Sequence, residues 1–199
     1  MILLDAGKDE IEKVRKYGIK WSAKNGRIYA CDSSDLNGIF HYVHPSPENI
    51  MEYVQTIMMT TKKDKPACKG EYCLLVAYCT VIYCMFPEDE IYMETLAQML
   101  SLSHVNSEDE DYMNAVDYEF EAMKAWIEKR YSWFGKDEIA FSMAESFWIP
   151  PDSEQRKMGL FAYEYYRRFK KYSRENPLET VSSAYFRIKS IINKKDGQE

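Results

Sequence analysis

From residue 46 onward, apolar positions recur at helical spacing. Ser46, Pro47 and Glu48 place a cap residue, a proline at the first helical position and an acid in succession, which starts a helix well. Ile50, Met51, Val54, Ile57 and Met58 then mark its buried face. The run Lys62-Lys63-Asp64-Lys65-Pro66 ends it. A second helix is predicted over 70–86; it is apolar on all sides and belongs at the centre of the fold. Cys73, Leu74, Ala77, Val81 and Cys84 are its expected buried residues. A third helix covers 91–102, with Leu96, Met99 and Leu100 on one side. After a polar stretch, 104–111, a long amphipathic helix over 112–133 uses Val116, Phe120, Met123 and Ile127. A shorter helix is read over 139–147. Asp152 or Ser153 then caps a helix running to about 175, which ends before Pro177 because the residue preceding a proline avoids the helical region. The last helix covers 179–195.

The first 45 residues have a different texture. A short helix over 9–17 is followed by 19–21 and 27–29, two short apolar stretches flanking Asn25-Gly26, the turn chemistry of a two-residue β-hairpin. The alternative is an irregular flap. The reading is a flap at 1–45 and a helical domain at 46–195: an all-α bundle of six or seven helices.

The chain has 199 residues, 46% of them hydrophobic and 29% charged, the balance of one folded domain rather than a disordered chain. The net charge of −6 argues against a protein that coats nucleic acid indiscriminately. That charge is unevenly placed. Residues 156–195 carry 11 Lys and Arg against 3 Asp and Glu, whereas residues 1–155 carry 15 against 27. Charged residues follow Met1-Ile2-Leu3-Leu4 at once, so no secretory leader is read. The longest uncharged apolar run, 72–86, has 15 residues, short of the roughly 18–20 that a bilayer needs. A cytoplasmic protein with reduced thiols is expected.

Candidate chemistry is sparse. Cys68, Cys73, Cys79 and Cys84 have no zinc-site spacing and are read as core residues. His41 and His44 have no carboxylate or thiolate beside them in sequence and make a poor metal pair. Phosphate-binding loops, dinucleotide fingerprints and hydrolase or zinc-protease motifs are missing, so no cofactor, no metal site and no catalytic residue is assigned, and an enzyme is not expected. Two charged features remain. Glu108, Asp109, Glu110, Asp111 and Asp117 form an acidic stretch suited to a basic partner. Arg167, Arg168, Lys170, Lys171 and Arg174 lie among aromatics on one helix. Basic residues interleaved with aromatics bind phosphate and stack on bases. The plainer alternative is an amphipathic helix with Tyr165, Phe169 and Tyr172 facing the core and its cations in water.

Residues 37–188 resemble the all-α domain of TraG-like type IV secretion coupling proteins of conjugative elements. Asn37-Gly38-Ile39-Phe40-His41-Tyr42-Val43 stands where that family has an Asn-Pro-Phe-x-Tyr-Ile type motif. Glu71-Tyr72 and the apolar helix after it resemble a helix entered by Glu-Phe-Trp, and Pro87-Glu88-Asp89-Glu90 is similar to the acidic turn that closes it. The nearest local similarity is Glu108 to Asp111 with Asn114-Ala115-Val116-Asp117 and Phe120-Glu121-Ala122-Met123. Tyr166, Phe169 and Lys170, then Thr180-Val181 and Ser183-Ala184, resemble the closing helices. The family's domain is inserted in a motor ATPase, whose nucleotide motifs this chain lacks. Gly38 replaces the family's proline and Cys73 its tryptophan. The resemblance implies a recognition module that engages DNA or a relaxosome protein, with a relaxase or a coupling ATPase as partner. The alternative is a structural or regulatory protein that oligomerises or caps a partner motor without binding DNA.

Overall fold

A computed structural model describes residues 21–24, 27–30, 36–38, 40–43, 45–61, 68–103, 112–128 and 152–196. The helices expected at 9–17 and 139–147, the acids 108–111, and Cys31, His44 and His104 lie outside them. Two short strands, β1 (Trp21–Lys24) and β2 (Arg27–Ala30), pair antiparallel with Trp21 opposite Ala30 and Lys24 opposite Arg27. This register is the one expected of a two-residue β-hairpin.

The rest is helical, as expected. Six α-helices follow among the described residues: α1 (Pro47–Thr60), α2 (Lys69–Met85), α3 (Met93–Leu102), α4 (Ala115–Ile127), α5 (Ser153–Tyr172) and α6 (Pro177–Asp196). Short 3-10 turns occupy Phe40–Tyr42 and Glu88–Glu90. Each start has a local cause. Ser46 accepts the Asn49 N–H at 3.2 Å ahead of α1. Reciprocal capping boxes open α4 (Asn114 with Asp117) and α5 (Asp152 with Gln155), satisfying backbone donors that a helix start leaves free. The Asn114 box sets the start of α4 at 115, three residues later than the apolar pattern proposes.

α2 is the centre. From Cys73 to Met85 every residue but Cys84 is buried, and Cys84 is partly so. The uniformly apolar sequence is therefore explained by burial on all sides. Burial pushes the Cys73 and Cys79 thiols up and that of Cys84 to about 12, as expected of inert core cysteines. Cys68 departs from the core reading: it is exposed, and its sulfur accepts the Glu71 N–H at 3.3 Å to cap α2.

The principal packing partner of α2 is α5, which runs antiparallel to it. Gly70 at the start of α2 meets Ser173 at the end of α5, Tyr72 meets Tyr165, and Tyr78 lies 6.3 Å from Tyr166. A Cβ at Gly70 would fall 2.0 Å from the Ser173 hydroxyl oxygen, so any larger residue would force Ser173 to turn or shift. α4 closes over the pair through Phe120, whose ring stacks on Tyr166 at 3.9 Å between centroids. On the other side, Tyr53 donates to the Leu36 carbonyl at 2.9 Å and Tyr83 to that of Phe40 at 2.6 Å, tying Leu36 to α1 and Phe40 to α2.

One charged cluster sits inside this fold. Glu71 is 1% exposed and Arg187 of α6 is 3% exposed. Arg187 Nε donates to Glu71 Oε1 at 2.6 Å and its Nη2 to Oε2 at 3.3 Å, a bidentate pair. Its Nη1 donates to the carbonyl and the hydroxyl of Thr61, both at 2.8 Å, and Ser183 donates to Glu71 Oε2 at 3.2 Å. The cluster joins the end of α1, the first turn of α2 and the middle of α6. No helix among the described residues is long and apolar enough to cross a membrane.

Candidate nucleic-acid interface

α5 presents its apolar side to α2 and α4 through Met158, Ala162, Tyr165, Tyr166 and Phe169, all buried. The five cations predicted on its far side are exposed, as expected. They differ in what they touch. Arg168 pairs with Glu164 one turn back, and its guanidinium lies 4.8 Å from the centre of the Tyr165 ring. Lys170 reaches Asp117 Oδ1 at 2.5 Å. Arg167, Lys171 and Arg174 make no hydrogen bond or ion pair with any described residue. Arg167 and Lys171 are one turn apart on α5. Arg174 lies past the helix, because α5 stops at Tyr172 with Ser173 as its C-cap rather than running to 175. Of the four cations that helical spacing puts on one face, Arg167, Lys170 and Lys171 are on the helix, with Lys170 paired to Asp117, and Arg174 is on the turn that follows.

Tyr172 corrects the expected core side of α5. Tyr165 is covered by Tyr72 and Phe161, and its hydroxyl meets the Met51 sulfur at 3.1 Å. Tyr172 stands two turns further on, beyond that cover. It is 52% exposed and has no ring partner among the described residues.

Asp117 also needs correction. Read as part of an acidic partner face, it is 6% exposed. Its Oδ2 accepts the Asn114 N–H at 3.0 Å, and its Oδ1 accepts the Tyr166 hydroxyl at 2.6 Å and Lys170. A carboxylate at the third position of a helix is drawn inward by capping chemistry, and a tyrosine and a lysine from α5 complete its hydrogen bonds. Other exposed acids lie at both ends of the α2–α5 pair, and Glu175 and Glu179 follow α5 just beyond Arg174. Glu88, Asp89 and Glu90 follow the C-terminal end of α2, and Asp152 and Glu154 open α5 close enough to Cys84 to raise its pKa. Because α2 and α5 are antiparallel, these acids share one end of the pair. Lys69, Lys171 and Arg174 lie at the other end, about 25 Å away along a 17-residue helix, together with the exposed acids Glu175 and Glu179.

The described residues contain no cluster of three or more His, Cys, Asp or Glu side chains able to hold a metal ion. His41 stacks on Tyr92 at 5.6 Å, with its Nε2 3.8 Å from Glu88, a carboxylate distant in sequence from it.

No family model matches the chain. Comparisons with curated proteins and with solved structures likewise return no match.

Proposed function

We propose that this chain is a non-catalytic recognition module that holds a nucleic-acid backbone at the cationic end of α5. One observation carries the reading. Arg167, Lys171 and Arg174 are exposed and have no carboxylate partner among the described residues, although the chain has more acids than bases. Arg168 and Lys170, on the same helix, are neutralised within the fold. Unpaired cations grouped at one end exchange counterions for phosphates. The resemblance of residues 37–188 to the all-α domain of conjugative coupling proteins supports the reading, since a role in engaging a DNA–relaxase substrate is attributed to that domain.

The test is a salt titration of DNA binding followed by fluorescence anisotropy. Replacing Arg167, Lys171 and Arg174 together by alanine should flatten the plot of log affinity against log salt by roughly 2–3, at 0.7–0.9 per phosphate contact. A folded triple variant with unchanged affinity and slope would refute the assignment.

A further inference from the structure

We infer that the polyanion taken at this end of α5 is single-stranded, with Tyr172 as the surface on which an unpaired base stacks; this rests on the nucleic-acid reading above and specifies its ligand. Tyr172 is half out of water at the last position of α5, with no ring contact from any described residue. Three cations stand near it in the chain, with Lys171 preceding it, Arg174 two residues later and Arg168 one turn back; the exposed acid Glu175 comes three residues later. Exposed aromatic area is unfavourable in water and is recovered when another flat apolar surface covers it. A duplex keeps its base faces stacked within itself, so it offers the cations phosphates and leaves Tyr172 uncovered. A single strand offers both a phosphate backbone and free base faces, the combination that stacking platforms beside basic grooves recognise. The other aromatic side chains of α5 are not equivalent: Tyr165, Tyr166 and Phe169 are buried, and Phe161 and Tyr163 are partly so.

The experiment compares full-length wild type, Tyr172→Ala, Tyr172→Trp and the alanine triple variant of Arg167, Lys171 and Arg174. Each is titrated with oligo(dT), oligo(rU) and a DNA duplex of equal length at one salt concentration, with a salt series for oligo(dT). Wild type should bind at least one single strand more tightly than the duplex, and the tighter of the two identifies the sugar. Tyr172→Ala should weaken single-strand binding at least about fivefold, leave duplex binding and the salt slope unchanged, and be rescued by Tyr172→Trp. Because Tyr172 is exposed, helical circular dichroism should match wild type. Equal single-strand affinity of wild type and Tyr172→Ala, or tighter binding of the duplex, overturns the single-strand inference. If the triple variant still flattens the salt slope, the nucleic-acid reading survives that result. Absence of salt-dependent binding to all three probes by wild type overturns both.

Discussion

Arg187 and Arg167 show two opposite uses of one side chain. Arg187 is enclosed, and its guanidinium meets Glu71 and Thr61 from two other helices. Arg167 is exposed and makes no hydrogen bond or ion pair with any described residue. Ionised groups are tolerated inside a protein only when they are paired and hydrogen-bonded, so the Arg187 cluster is complete and fixes how three helices meet. An exposed cation has no such requirement, and one left unpaired remains available to a ligand. The difference predicts that stability resides in the first cluster and binding in the second.

The strongest way to break this comparison is to truncate the enclosed arginine. Arg187→Ala leaves Glu71 buried without its counter-charge and should cost about 3–5 kcal/mol. For a chain of this size that lowers the melting temperature by roughly 6–20 °C, read by thermal circular dichroism. Replacing the pair by Arg187→Met with Glu71→Leu should recover most of the loss, because apolar residues of similar volume leave no unpaired charge. A mild effect of the single substitution would show that the cluster does not fix the helices.

Glu119 lies between the two extremes. Its side chain lines a shallow apolar crevice with Val81, Met99, Phe120 and Met123, and burial raises its pKa from 4.5 to about 7. A carboxyl that titrates higher in the folded state than in the unfolded state favours folding while protonated. Its contribution is full below about pH 4.5 and is lost as pH rises through about 7. Glu119→Gln should therefore gain stability relative to wild type over that window, by about 2 kcal/mol once partial exposure is discounted. Urea denaturation at pH 4.5 and pH 8 measures it, and a pH-independent difference would contradict the assignment.

Smaller effects sharpen the contrast. Tyr166→Phe removes one donor from Asp117, which keeps its bonds to the Asn114 N–H and to Lys170, so a loss of about 1 kcal/mol is expected in the same assay. The alanine triple variant of Arg167, Lys171 and Arg174 should have the smallest effect on folding, within about 0.5 kcal/mol per substitution.

Much of the helical frame was legible because the apolar period and the caps agree. Ser46-Pro47 and Asp152 start helices where the pattern places them, and the uncharged run 72–86 has the buried surroundings that its composition requires. Exposure of the α5 cations followed from the same period. What was not legible depends on partners far along the chain. Asp117 reads as one acid among several until its capping box and Tyr166 of another helix draw it inward. Tyr172 reads as a core aromatic by its angular position, yet the residues that cover Tyr165 do not extend to it. Arg187 carried a signal that went unused: it sits in phase with Val181, Ala184, Ile188 and Ile191 on the buried face of α6. A charge in that phase demands a buried opposite charge. Glu71, the acid heading the most apolar helix, was the candidate.

The central claim is that the unpaired cations at the end of α5 bind a nucleic-acid backbone while the paired ones serve the fold. The most direct test is the salt dependence of oligonucleotide binding for wild type beside the triple variant of Arg167, Lys171 and Arg174, with thermal melts run in parallel. The account predicts matching melts and a slope lower by roughly 2–3 in the variant. Matching melts with identical slopes would contradict it, and the stripe would then be a solvated helix face.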